Sequence, residues 1–303
     1  MSKYIYTWQQ VVSFLMPDWY NLQQKDLSSL ITYSRQLGLG EPITFQKTSY
    51  SQKDLEHLRI LLSWWNLVNL ISNKEWRDKI TARIIQRNAI LSLIENKPLE
   101  IYSIFCPSYK KGNGEYGYMG VIGNHTKAYI HKLSGFVKLS KELGLSIHAT
   151  AYFSDLLLEN YECIQGTTYK EDLKTNYLSF KREFLDVGNF VETKLLSSIN
   201  ELSKGIGEKG IRKGVINIPI EIFEKILERN KVFYINGLGW TNSMVKERTD
   251  ILISSYSLMG LVFRKMYPNG IMFWVESAYE RGVMYNGYDQ DAPIPTIYPI
   301  KDD

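Results

Sequence analysis

The sequence predicts an α/β protein: a Rossmann-like, mainly parallel sheet with flanking helices, preceded by a helical N-terminal region. Three observations predict it. Short apolar, β-rich runs appear only beyond Pro98, and amphipathic stretches of helical length alternate with them. Turns bearing Gly, Asn or Pro punctuate the change from one to the other. The chain before Lys97-Pro98 carries helical periodicity instead. The expected division is a helical region over 1–97 and the α/β domain over 98–303.

From Ser51 to Ile71, Leu55, Leu58, Leu61, Leu62, Trp65, Leu67, Val68 and Leu70 recur at roughly helical spacing, and Ser51 with Asp54 has the form of a capping box. A second helix is expected over Lys74 to Ile94, with Ile80, Ile84, Ile85, Ile90 and Leu93 on one stripe. Trp64 and Trp65 read as packing residues. Glu100 to Phe105 reads as a strand ending at Cys106-Pro107, followed by a loop through Lys110-Lys111-Gly112-Asn113-Gly114. A helix from Asn124 to Leu143, closed by Gly144, leads to a second strand over Leu145 to Phe153. That is a βαβ unit, which implies parallel strands and a right-handed crossover. Helix is then expected from Tyr169 to Leu202, and a soft Gly/Lys-rich linker over Lys204 to Lys213. A third strand is placed at Lys231 to Ile235 with a tight Asn236-Gly237-Leu238-Gly239 turn. Lys246 to Met266 is a helix halted by Tyr267-Pro268-Asn269-Gly270, Ile271 to Val275 a fourth strand, and the proline-bearing tail is extended.

Composition narrows the function. Hydrophobic residues are 44% and charged residues 22%, the balance of a globular chain rather than a disordered one. The net charge of +4 comes from 36 basic and 32 acidic residues without a basic run, so nucleic acid enters the expectation only as tRNA. Two cysteines, Cys106 and Cys163, suit a reducing compartment, and no Cys/His spacing suggests a metal. Met1 to Tyr20 lacks the form of a signal peptide, and no apolar stretch has the length of a membrane span. A cytoplasmic protein with no membrane partner is the expectation, and an oligomer is compatible with it.

In open α/β sheets, ligands bind beyond the C-terminal ends of the strands. That rule selects Ser108, Tyr109, Lys110 and Lys111 after the first strand, Asp155 after the second, Asn236 after the third and Glu276 after the fourth. The lysine-glycine loop has cations and backbone N–H groups for a phosphate or carboxylate, or is a solvated loop. Asp155 either holds a substrate amine or acts as a base, or it caps a helix. Glu276 directly follows an apolar strand, so it is exposed in a cleft or paired, with Arg248 or Arg281 as candidate partners. The lone Gly237/Gly239 pair is a weak dinucleotide signal, and a plain turn explains it. Cys106 reads as a structural thiol, and the histidines His57, His125, His131 and His148 form no triad. Tyr109, Tyr116, Tyr118, Tyr285 and Tyr288 flank the expected cleft and suit a ligand with a flat ring.

From Arg87 to Pro299 the order of motifs resembles the isocyanide (isonitrile) synthases of the pyoverdine/dityrosine biosynthesis family. Ile104-Phe105-Cys106-Pro107-Ser108-Tyr109-Lys110-Lys111 stands where that family has a strand ending in a phenylalanine-proline-lysine loop. Leu145 through Phe153-Ser154-Asp155 stands where it has a strand ending in phenylalanine-x-aspartate. Glu247-Arg248-Thr249, Tyr256, Arg264, Tyr267-Pro268 and Ile271 to Glu276 follow its late helix, turn and strand. His148-Ala149-Thr150 replaces the family's serine-aspartate-glycine, Glu276 replaces a histidine, and the lysine loop is spaced differently. The resemblance implies an enzyme that converts an aromatic amino acid, with a sugar phosphate, into an isonitrile without a cofactor. Lys110, Lys111, Asp155 and Glu276 would be catalytic, and Ser108, Tyr109, Arg248, Tyr256 and Asn236 would bind substrate. Two alternatives stay open: a tRNA-dependent acyl transferase similar to the cyclodipeptide synthases, using Ser108 and Glu276, and a non-catalytic ligand-binding protein on a degenerate enzyme fold.

Overall fold

A computed structural model describes residues 52–73, 79–105, 109–110, 116–117, 124–156, 170–207, 220–274 and 294–300. Five strands form one parallel sheet: β1 (Leu99–Phe105), β4 (Ile147–Phe153), β5 (Glu192–Leu195), β6 (Ile271–Phe273) and β7 (Thr296–Ile297), in the order β5-β4-β1-β6-β7. A two-residue hairpin, β2 (Tyr109–Lys110) against β3 (Tyr116–Gly117), follows β1. The chain steps outward from β1 through β4 to β5, then returns past β1 to β6 and β7.

The outward steps use helices on one face and the return uses the other, as a single hand of crossover requires. On the first face lie α1 (Gln52–Ile71), α2 (Lys79–Glu95), α3 (Asn124–Glu142) and α4 (Lys170–Asp186). They pack on Leu99, Ile101, Phe105, Ala149, Phe153 and Phe273, which alternate along their strands with the residues of the other face. Trp64 and Trp65 are core residues as expected, and Trp64 Nε1 donates to Ser140 Oγ at 3.0 Å, joining α1 to α3. Phe105, Phe180 and Phe184 meet edge-on at 5.0–5.7 Å. Such a pair contributes about 0.5–1.5 kcal/mol beyond its burial.

The second face carries α5 (Asn200–Gly207), α6 (Ile220–Leu238) and α7 (Asn242–Met266) over Tyr102, Ile104, Tyr152, Met272 and Trp274. Thr241 caps α7 by accepting from the Met244 N–H, and Tyr234 stacks on Trp240 at 4.6 Å where α6 turns into α7. No helix of the described residues is long and apolar enough to cross a membrane.

The structure corrects three expectations. Lys231 to Ile235 is not a strand but the end of α6. Ile226, Asn230 and Tyr234 are buried one helical turn apart while Val232 is 65% exposed, so the longer period overrides a local β-rich run. The helix expected from Tyr169 to Leu202 stops at Asp186, where Gly188 (φ 114°) and Asn189 (φ 54°) turn the chain into β5. Residues 204–207 of the supposed linker belong to α5; the rest of it, and Ser51 of the capping box, lie outside the described residues.

Candidate functional site

The strand order places the reversal of winding between β1 and β6, and in such a sheet the crevice at that point, beyond the C-terminal ends, is where ligands bind. Parallel pairing carries Phe105, Phe153 and Phe273 to the same rim. Ser154 continues the ladder one residue further, its N–H donating to the Phe105 carbonyl at 2.9 Å.

Asp155 stands next on this rim and is 7% exposed. One carboxylate oxygen accepts from the Ser197 N–H at 2.9 Å, which caps the 3-10 turn Leu196–Ser198 beyond β5. The cap is thus on a neighbouring strand's exit, and the segment that follows Asp155 in sequence lies outside the described residues beyond Leu156. Ser154 Oγ is buried and has no hydrogen-bond partner among the described residues.

On the return face, α7 runs from above this rim down to the start of β6. Tyr256 is buried on it and meets Trp274, the residue directly after β6, edge-on at 6.4 Å. Two turns earlier comes Arg248, 1% exposed. A guanidinium so deeply buried must be met by acceptors, and its planar fork is suited to a carboxylate or phosphate. The neighbouring Thr249 hydroxyl accepts from Asn230 Nδ2 at 2.9 Å and donates to the Val245 carbonyl at 2.8 Å, locking α6 to this stretch of α7.

The chain is similar in fold to the PvcA protein from Pseudomonas aeruginosa. The TM-score is 0.51 at 10% identity, over 78% of this chain and 82% of that one. No protein-family model matches the sequence, and no curated protein matches it. The likeness to PvcA is one of fold: a parallel α/β sheet with helices on both faces.

The predicted site residues fall into four groups. Asp155, two residues past β4, and Arg248 and Tyr256, on α7, are buried. Tyr109 and Lys110 have their backbones in the hairpin after β1, with Lys110 opposite Tyr116. Ser108, Lys111 and Glu276 lie outside the described residues, as do Cys106, Tyr118, Arg281, Tyr285 and Tyr288. Asn236 is exposed in the last turn of α6, so the strand end that singled it out does not exist. Trp274 and Ser154 escaped notice in the sequence. The signal for Trp274 was present, since it lies in an apolar run two residues before Glu276, but an aromatic there reads equally as core. Among the described residues, no cluster of His, Cys, Asp and Glu could hold a metal.

Proposed function

We propose that this chain is a biosynthetic enzyme of the isonitrile-synthase kind, acting on an amino acid, aromatic by preference, with a sugar-phosphate co-substrate. One observation carries the reading. A carboxylate, Asp155, two residues past β4, and a fully buried guanidinium, Arg248, on the late helix α7, follow one another in the chain order of that family's motifs. The fold shared with PvcA supports the same reading.

In this scheme Arg248 grips a carboxylate or phosphate with two parallel hydrogen bonds. Asp155 keeps one oxygen on Ser197 and receives the substrate ammonium with the other. The edge-on pair of Tyr256 and Trp274 supplies an aromatic wall for the substrate ring. Lys110 or Lys111 holds the sugar phosphate or attacks its carbonyl, with Ser108 and Tyr109 beside them in the loop, and Glu276 is the remaining acid–base group. Asn236 has no role.

The test is incubation of the full chain with tyrosine or tryptophan and ribulose 5-phosphate, with the product read by mass spectrometry. Turnover is expected in the wild type. Arg248→Lys keeps the charge and loses the fork, raising KM about tenfold or more. Asp155→Asn leaves an acceptor for Ser197, so the fold survives and turnover does not. Asp155→Ala also lowers stability, by about 1 kcal/mol. Saturable amino-acid binding without product would replace the enzyme by a binding protein. Turnover only with aminoacyl-tRNA would make it an acyl transferase.

A further inference from the structure

Helix α4 buries a stripe of Asn176, Phe180 and Phe184, each one turn from the next. The two phenylalanines pack on the last residues of β1 and β4. Phe180 lies 5.2 Å from Phe105 and 5.3 Å from Phe153, and Phe184 lies 5.7 Å from Phe105. The chain leaves β4 at the rim and has to return to the entry of β5, so α4 descends along the sheet and its first turns lie on the rim side. Asn176 therefore stands about 6 Å beyond Phe180 toward the rim. The stripe turns from apolar to polar where it passes the ends of the strands.

Asn176 is 1% exposed, and neither its Nδ2 nor its Oδ1 has a hydrogen-bond partner. A buried amide with donor and acceptor both unmet costs stability, and a leucine of similar size would not. Packing within the chain gives no reason for an amide at this place in the stripe. A ligand group that both donates and accepts gives one.

The surroundings select that group. Tyr177, the next residue, donates to the Thr193 carbonyl on β5 at 3.3 Å and lies 5.6 Å from Phe153. Burial pushes its phenol above the ordinary range, against the bond to Thr193, and the Asp155 carboxylate adds to the rise. Asp155 thus stands within electrostatic reach of this turn of α4, and alternation along the chain puts it on the same side of the sheet as Phe153. Among the described residues no basic side chain meets Asp155, which leaves the countercharge to the ligand. A neutral hydroxyl would satisfy the amide but not that carboxylate. An α-amino acid head group satisfies both. Its ammonium donates to Asp155 and to Asn176 Oδ1, and its carboxylate accepts from Asn176 Nδ2.

We propose that Asn176 reads the free α-amino acid head group, ammonium and carboxylate together, beside Asp155. This deepens the function proposed above and rests on it. Titration calorimetry of the full chain tests it with three ligands that share one ring: tyrosine, tyramine, which lacks the carboxylate, and desaminotyrosine, which lacks the ammonium. The wild type is expected to bind tyrosine about tenfold or more tighter than either analogue. Asn176→Leu removes both hydrogen-bonding groups, so most of that preference goes while the protein melts no lower than the wild type. Asn176→Asp keeps the acceptor and loses the donor. It should bind tyrosine about tenfold or more weaker and tyramine no weaker than the wild type does, and it decides the matter where Asn176→Leu fails to fold. A wild type that binds tyrosine no tighter than the analogues, or a preference that either folded variant leaves intact, overturns the proposal. If the wild type nevertheless forms the isonitrile, the reaction stands without Asn176 in it; a wild type that binds no free amino acid overturns both.

Discussion

At the level of single residues, the second face of the sheet joins packing to protonation. Tyr102 stacks on Phe263 at 5.0 Å and on Tyr267 at 4.8 Å, and the Tyr152 and Tyr267 hydroxyls lie 2.6 Å apart. Burial pushes the Tyr102 phenol well above its ordinary range, against the opposing pull of the Arg264 guanidinium. Burial pushes Tyr152 up as well, and its hydrogen bond to Tyr267 adds to the rise. The unfolded chain would release both protons near pH 10, while the folded chain retains them. Their contribution is therefore complete below about pH 10 and is lost as the pH climbs above it, by up to about 1.4 kcal/mol per unit for each tyrosine. Urea midpoints measured at rising alkaline pH should fall along that slope, and Tyr102→Phe with Tyr152→Phe should flatten it. A midpoint indifferent to pH in this range would mean that the two phenols ionise freely in the native protein.

Among the helices and strands, the boundaries depend on a few backbone positions. Gly144 ends α3 at φ 97°, a conformation that L side chains rarely adopt, and a Cβ there would sit 3.0 Å from Ile60 Cδ1 on α1. Gly144→Ala is expected to cost about 1 kcal/mol or more in chemical denaturation, from strain and contact together. This glycine was legible in the sequence because the helix before it has a clean period. The break at Gly188-Asn189 was not, because apolar residues resume soon afterwards and the helical stripe reads as unbroken. Beyond the break lies a four-residue edge strand whose Glu192 and Lys194 pair with each other at 2.8 Å. So short a strand leaves little periodicity to read, and charge on an edge hides it further.

Across the whole molecule, two helix layers enclose a sheet whose central strands are buried from both sides. Every residue of β1 except Glu100 and every residue of β4 except His148 is buried, whereas β5 exposes Glu192 and only half-buries the rest. Opening the centre requires parting both layers, so amide exchange should be slowest from Ile101 to Ile104 and from Ala149 to Tyr152, and faster by orders of magnitude in β5. Uniform protection across the sheet would contradict the two-layer core. Among the described residues, the two faces also divide the labour. The return face buries Arg248 and Tyr256 on α7, and the outer face carries a groove at Gly135.

Local pattern alone was enough for the class of fold, the strands β1, β4 and β6, the helices α1, α3 and α7, and the position of Asp155 at the end of β4. Each is written in short-range periodicity or in a turn beside a long apolar run, and none needs a distant partner to be recognised. Long-range packing settled the remainder. The run from Val232 to Ile235 became helix because α6 buries a stripe against α7. Residues 192–195 and 296–297 became strands because β4 and β6 offered them open edges. Asp155 caps a turn 42 residues away because β5 was laid beside β4. Pairings across such distances depend on which surfaces remain exposed once the local elements have formed, and a linear pattern carries no record of that competition.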